Sequence, residues 1–280
     1  MGRFKALSLI LLGSLSSTVK AETIEVLSLP QAPVVDGLSD DWKEVPEITI
    51  PLRPITADTA VEAKKVMLKA GYFTDTVYFH LRWSDSEENR VHKPYVWNKQ
   101  KKRYVRGPER EDRFSIQFAM EGEYTTDWPS ADYFKADMWH WKSARTAPLN
   151  IVHDKMTIVS SKPLIRATQL KRPDGGITYV LRPTDAGIQP YTTKRYRNLE
   201  QQVMPKYQLN PDVSGSVADV KAKGRWSNGF WHLELSRKLD TGNKDDAIFK
   251  AGESLPGGIA IFDASETDDH AISDTLNFQF

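Results

Sequence analysis

The chain predicts an all-β protein, a single β-sandwich with long loops and few short helices, and three observations predict it. Short runs alternate apolar and polar residues and are rich in aromatic and β-branched side chains. Gly, Pro, Asn and Asp punctuate those runs as turn signals. No segment of any length carries the period of an amphipathic helix, and no internal repeat is present.

Residues 1–21 read as a secretory leader. Arg3 and Lys5 form its basic start, Ala6 to Leu15 its apolar run, and Val19-Lys20-Ala21 a small-residue cleavage site, so cleavage is expected after Ala21. The apolar run is about half the ~20 residues a membrane helix needs, and no later segment approaches that length. The expectation is a periplasmic or secreted chain without a membrane span, with one domain over residues 22–280. Removing Arg3, Lys5 and Lys20 from 38 basic residues leaves 35 against 37 acidic ones, a net charge of −2. That balance argues against nucleic acid or anionic lipid as a partner.

Lys64–Tyr72 is the first long strand expected. In Val77–Trp83, alternation puts Val77, Phe79, Leu81 and Trp83 on one face and sends His80 to the surface or a second layer with Tyr78 and Arg82. Phe114, Ile116, Phe118 and Met120 share the apolar face of the next strand, which makes Met120 either core filling or a ligand at the strand's end. Further strands are expected at Ile177–Leu181, Val217–Ala222, Trp231–Ser236, Gly258–Phe262 and Thr275–Phe280, with His232 turned outward. Two long insertions are expected, at about 86–111 and 183–213. The first is basic, with Lys99, Lys101, Lys102, Arg103 and Arg106; the second is rich in Pro, Tyr, Arg and Gln. Insertions this long serve as lids or docking surfaces, or are simply solvated.

The chain has no cysteine, so an exported fold must rest on its hydrophobic core rather than on disulfides. The same absence excludes covalent c-type haem, thiolate zinc sites and iron–sulfur clusters. The six histidines lack the His-x-x-x-His spacing of a zinc site, and no G-x-S-x-G elbow is present, so hydrolase chemistry finds no support.

Asp137-Met138-Trp139-His140-Trp141-Lys142 is the most unusual segment. On a strand, Met138 and His140 would face one way and Trp139 and Trp141 the other, offering iron ligands on one face and packing on the other. The same pattern also fits a core strand whose tryptophans fill a sandwich. A non-covalent haem b needs an apolar slot and two axial side chains with neutral lone pairs, and the candidates are Met120, Met138, His140 and His270. His270 follows the Gly258–Phe262 strand and is expected on a loop at a sheet edge.

Taken in order, several motifs resemble one family. These are Val35-Asp36-Gly37 through Trp42, Lys69–Tyr72 with Tyr78–Asp85, Glu111-Asp112-Arg113 through Phe118, and Asp137–Lys142 with Ala144-Arg145-Thr146. Gly224-Arg225-Trp226, Ser236–Gly242 and Ile259–Asp263 before His270 complete the set. The chain resembles the haem-binding domain family of the ethylbenzene dehydrogenase gamma subunit, found also in dimethyl sulfoxide reductase-type enzymes and in cytochromes of the c-552 kind. The resemblance implies a sandwich of the jelly-roll or immunoglobulin-like type seen in carbohydrate-binding modules, holding one haem b. It also implies a non-catalytic role, passing electrons between a redox partner, such as a molybdenum enzyme subunit, and a cytochrome. The gamma subunits use a methionine and a lysine as axial pair. Here the resemblance implies His270 as one ligand with Met120 as the favoured second, Met138 and His140 in reserve, and Trp139, Trp141 and Trp83 packing the ring or the core beside it. Two other readings stay open: a carbohydrate-binding sandwich without haem, since the D-G-x-x-D-x-x-W opening is shared with such modules, and a haemless subunit that only docks a partner.

Overall fold

Period-two alternation is realised as strands that bury one face. The computed structural model describes residues 21–55, 63–265 and 270–280, so the expected leader lies almost wholly outside the described residues. Fifteen strands join in one sheet. Its path runs Thr168–Lys171, Ile177–Leu181, His153–Ser160, Tyr133–Lys142, Arg113–Gly122 and Ser254–Phe262. It continues through Ala271–Ile272, Ile48–Pro54, Lys64–Phe73, Thr76–Ser84, Phe230–Lys238 and Lys221–Ser227. Most neighbours are antiparallel; Glu22–Glu25 on Leu276–Gln279 and Leu27–Ser28 on Lys64–Phe73 are parallel.

The sheet folds back so that its two halves pack face to face as a sandwich. Val77, Phe79, Leu81 and Trp83 from one half are fully buried, as are Phe114, Ile116, Phe118, Trp139 and Trp141 from the other. Their rings meet across the interior: Phe79 stacks on Phe118 at 5.7 Å, Trp83 on Phe114 at 5.6 Å, and Trp141 meets Trp231 edge-on at 4.9 Å. Truncating one such ring costs about 3–5 kcal/mol, so this aromatic layer does the work that disulfides would do elsewhere. The only helical turns among the described residues are four short 3-10 segments.

Three family-like motifs prove to be buried polar anchors. Glu234 accepts from the backbone N–H of Asp36 at 2.8 Å, that of Gly37 at 2.6 Å and the Trp42 indole at 2.6 Å, which ties the D-G-x-x-D-x-x-W opening to the sheet. Gly37 is required there: its φ is +81° and a Cβ would meet the Arg225 side chain at 2.8 Å. Glu111 accepts from Arg145 at 2.5 Å and from the Ala144 N–H, while Asp112 accepts from Asn89 N–H, Ala264 N–H and the Trp231 indole. Arg237 pairs with Asp137 at 2.5 Å in the interior and lies over the Trp139 and Phe249 rings.

Several expectations are corrected. Of the two places expected for His80, the second layer is realised and the surface is not, because Trp42 covers it at 6.0 Å and His232 lies 5.9 Å away, itself only half-turned to solvent. Val217–Ala222 is not a strand: Ser216–Ala218 forms a 3-10 turn, and the strand begins at Lys221. Val217 and Ala218 are apolar because they fill a small cluster with Ile151, not because they alternate. Both insertions carry strands. Tyr95–Asn98 pairs with Arg103–Arg106 and with Val203–Met204, so the two insertions build one three-stranded sheet together. Tyr104 donates its hydroxyl to Gln201 O at 2.6 Å and packs its ring on Tyr196, and Tyr191–Thr193 pairs with Tyr207–Leu209.

Candidate functional site

The outer face of the Tyr133–Lys142 strand carries the chemistry. Because Trp139 and Trp141 face inward, Met138 and His140 face outward, and register sets them in rows with the neighbouring strands. Met138 stands opposite Gln117, which stands opposite Gly258; His140 stands opposite Ser115, which stands opposite Ala260 and then Ile272. Ser115, Gly258 and Ala260 are small, so the middle of this face is hollow. The segment Tyr124–Pro129, the strand ends at Leu170, Val180 and Arg182, and Arg53, Ile55 and His270 rise around it. The result is a cavity of about 300 Å³ with mostly apolar walls, at the lower end of ligand-pocket sizes. A side chain at Gly258 would collide with Thr126 and Tyr124, so glycine there lets this wall descend to the sheet.

Each donor in the cavity is positioned by a partner. Thr157 donates its hydroxyl to Met138 Sδ at 3.7 Å and accepts from Gln117 Nε2 at 3.2 Å, and Gln117 in turn accepts from Tyr124 at 3.3 Å. His140 and His270 both lie against the Phe262 ring, with centroids at 5.7 and 4.5 Å and planes within 30° of parallel. Arg113 also lies on that ring, at 4.2 Å. His140 Nε2 is buried with no hydrogen-bond partner among the described residues. Burial first, and then the cations Lys142, Arg113, Lys155 and Arg145, hold His140 well below the usual histidine range, so its imidazole is neutral. His270 leads directly into Ala271–Ile272, which pairs with both Ser254–Phe262 and Ile48–Pro54. It therefore sits where the two halves of the sheet join, not at a sheet edge.

The structure brings together Met138, His140 and His270. It does not bring Met120 to them. Met120 lies at the end of the Arg113–Gly122 strand, packed against the interior core with Phe114, Ile116 and Phe118, so the favoured pairing of His270 with Met120 is corrected. The same alternation removes Trp139 and Trp141 from the cavity lining; both are wholly buried between the layers. A lysine ligand is not assembled either. Lys142 Nζ meets His153 Nδ1 at 2.7 Å and Tyr191 Oη at 3.2 Å, under the second insertion. Sequence reasoning missed Ser115, Gly258 and Ala260, which make the hollow, and Arg53 and Arg182, which stand on its rim.

A thioether and two imidazoles, one of them held neutral and with a nitrogen left unpartnered, are soft or borderline ligands, and the apolar walls keep water from them. These residues fit a haem iron and its macrocycle, and the lining also holds two cations, Arg182 and the Asp274-paired Arg53, that would suit carboxylate substituents.

A family model described as "Ethylbenzene dehydrogenase" matches residues 39–272 of this chain. No match was found among curated proteins. Among solved structures, the chain is similar to a family 9 carbohydrate binding module from Caldicellulosiruptor kristjanssonii in complex with glucose, at 12% identity over 91% of this chain and 85% of that one, with a TM-score of 0.40. The same kind of module in complex with cellotriose is similar at 12% identity, over 91% and 84% of the two chains, with a TM-score of 0.39. None of the described helices is long and apolar enough to cross a membrane.

Proposed function

The chain belongs to the ethylbenzene dehydrogenase family, and from that premise we propose that it is a non-catalytic electron-transfer subunit or protein that holds one non-covalent haem b in the Met138–His140–His270 cavity. The observation that carries this reading is the convergence of a thioether and two imidazoles in one apolar hollow, from segments far apart in the chain. A haem bound there would supply one-electron redox chemistry at its iron. This chain's residues hold it: His270 from the sheet junction, with Met138 the favoured second ligand and His140 the alternative. Phe262, Ile259, Ile272, Leu170 and Val180 would exclude water from it, and Arg182 with the Asp274-paired Arg53 would face its negative substituents. The implied setting is the periplasm, reached by the 1–21 leader, with a redox enzyme, such as a molybdenum enzyme of the dimethyl sulfoxide reductase type, on one side and a cytochrome on the other.

The test is to express the mature chain, supply haem and record the visible spectrum. A Soret band that shifts or disappears in His270→Ala supports the reading. A colourless protein, or a band indifferent to His270→Ala, overturns it; oligosaccharide binding by that colourless protein would favour the carbohydrate-binding alternative, and its capture of a redox enzyme would favour a docking subunit.

A further inference from the structure

A second polar centre lies away from the cavity, where the His153–Ser160 strand meets the second insertion, the Ser216–Ala218 turn and the segment after Phe230–Lys238. One carboxylate oxygen from each of Asp154, Asp219 and Asp246 lies within 4.8 Å of the others. Each of these carboxylates commits its other oxygen to the protein. Asp154 Oδ1 accepts from Lys155 N–H at 2.9 Å, and Asp219 Oδ2 from Asn243 Nδ2 at 3.2 Å. Asp246 Oδ2 accepts from Thr241 Oγ1 at 2.5 Å and from Asn243 Nδ2 at 3.0 Å. The remaining oxygens, Asp154 Oδ2, Asp219 Oδ1 and Asp246 Oδ1, are buried and receive no hydrogen bond among the described residues.

An independent residue points at the same place. Asp185, from the second insertion, is only 4% exposed, and neither of its carboxylate oxygens receives a hydrogen bond from a nitrogen, serine, threonine or tyrosine donor among the described residues. Its backbone N–H donates to Asp154 O at 3.4 Å, and the Asp185 and Asp154 carboxyls lie within hydrogen-bond reach of each other. Counter-charge is scarce. Arg237 is bound to Asp137 and stands 3.7 Å from Asp246 Oδ1, and Lys155 is felt by Asp185 through space without an ion pair. Buried carboxylates in such a ratio to cations are costly unless a further cation joins them.

We propose that Asp154, Asp219 and Asp246, with Asp185 beside them, form a site for a hard divalent cation of the calcium class. Oxygen-only, multiply charged ligation selects calcium or magnesium over zinc or copper. The bound ion ties the second insertion and the 240–247 segment to the sheet.

The experiment uses the whole mature chain, stripped with EDTA and titrated with calcium chloride by calorimetry, with thermal unfolding followed in parallel. The expected result is saturable uptake of one ion and a midpoint raised by about 5 °C or more once calcium is ~100-fold over its Kd. Asp219→Asn should weaken calcium uptake at least ~10-fold, since even an outer-shell partner can cost that much. If Asp219→Asn does not fold, Asp246→Asn and terbium luminescence of the wild type serve as the second measure. Absence of calcium or magnesium uptake by the wild type overturns the proposal. So does an Asp219→Asn protein that is more stable than wild type in EDTA and responds to calcium unchanged, which would mean the acids share protons instead. The Soret band of haem-loaded protein is a separate readout, so the failure of either reading is visible without the other.

Discussion

Replacing Glu234 with alanine should release the opening segment from the sheet. Its carboxylate accepts three hydrogen bonds, from Asp36 N–H, Gly37 N–H and the Trp42 indole. A hydrogen bond to a charged acceptor is worth about 1.5–3 kcal/mol. The Asp36 donor is only partly buried and water can replace its partner, whereas the Gly37 and Trp42 bonds are buried. Burial raises the Glu234 pKa, which offsets part of the gain near neutral pH. Counting two buried donors near the lower end of that range gives a loss of about 3–4 kcal/mol. At about 2–4 °C per kcal/mol for a chain of this size, the thermal midpoint should fall by about 6–16 °C. Circular dichroism melts of the mature wild type and variant measure it, with the Trp42 indole proton resonance as a local check. A fall of less than about 2 °C, with that resonance unmoved, would refute the claim that Glu234 anchors the motif.

Other predictions address the core, the cavity and pH. Trp139→Ala should cost about 3–5 kcal/mol in chemical denaturation, because its ring packs on Phe79, Phe118 and Phe249; a cost below 1 kcal/mol would contradict the packing. Ala260→Leu should fill the hollow beside Ser115, weaken haem uptake by about tenfold and leave the melting midpoint within a few degrees of wild type; unchanged uptake would remove this face as the binding site. Burial, aided by Asp263, pushes Asp85 up to about 6, and burial with the neighbouring Asp85 pushes Asp112 up to about 7. Both folded-state values lie above the unfolded ones, so the stability from holding these protons is complete below about pH 4 and is lost as pH rises through about 6 and 7. Relative to Asp85→Asn, the wild type should therefore lose urea midpoint between pH 5 and pH 8; equal slopes in the two proteins would count against the assignment.

The legible part of this fold was the part with a short period. Val77–Trp83 and Phe114–Phe118 announce their faces because successive side chains must alternate, and Ile177–Leu181 was placed to the residue. The same rule separated Met138 and His140 from Trp139 and Trp141. It already put Met120 on the core face with Phe118, and only proximity to the Glu111–Phe118 motif made it look like a ligand. What the sequence hid is non-local. Ser115, Gly258 and Ala260 become a hollow only once register sets them beside His140 and Met138, and smallness alone is no signal. The pairing of Tyr95–Asn98 with Val203–Met204 links segments about a hundred residues apart through two ladder positions, too short to show as a pattern. Asp154, Asp185, Asp219 and Asp246 are likewise scattered, and each alone reads as a loop acid.

The central claim is that the outer-face cavity, with Met138 and not Met120, holds the cofactor. Spectrophotometric haem titration of the wild type, Met138→Ala and Met120→Ala tests it most directly. The account predicts one haem per wild-type chain, the same stoichiometry and spectrum for Met120→Ala, and weakened uptake with an altered Soret band for Met138→Ala. The reverse order, in which Met120→Ala loses haem and Met138→Ala keeps the wild-type spectrum, would contradict it.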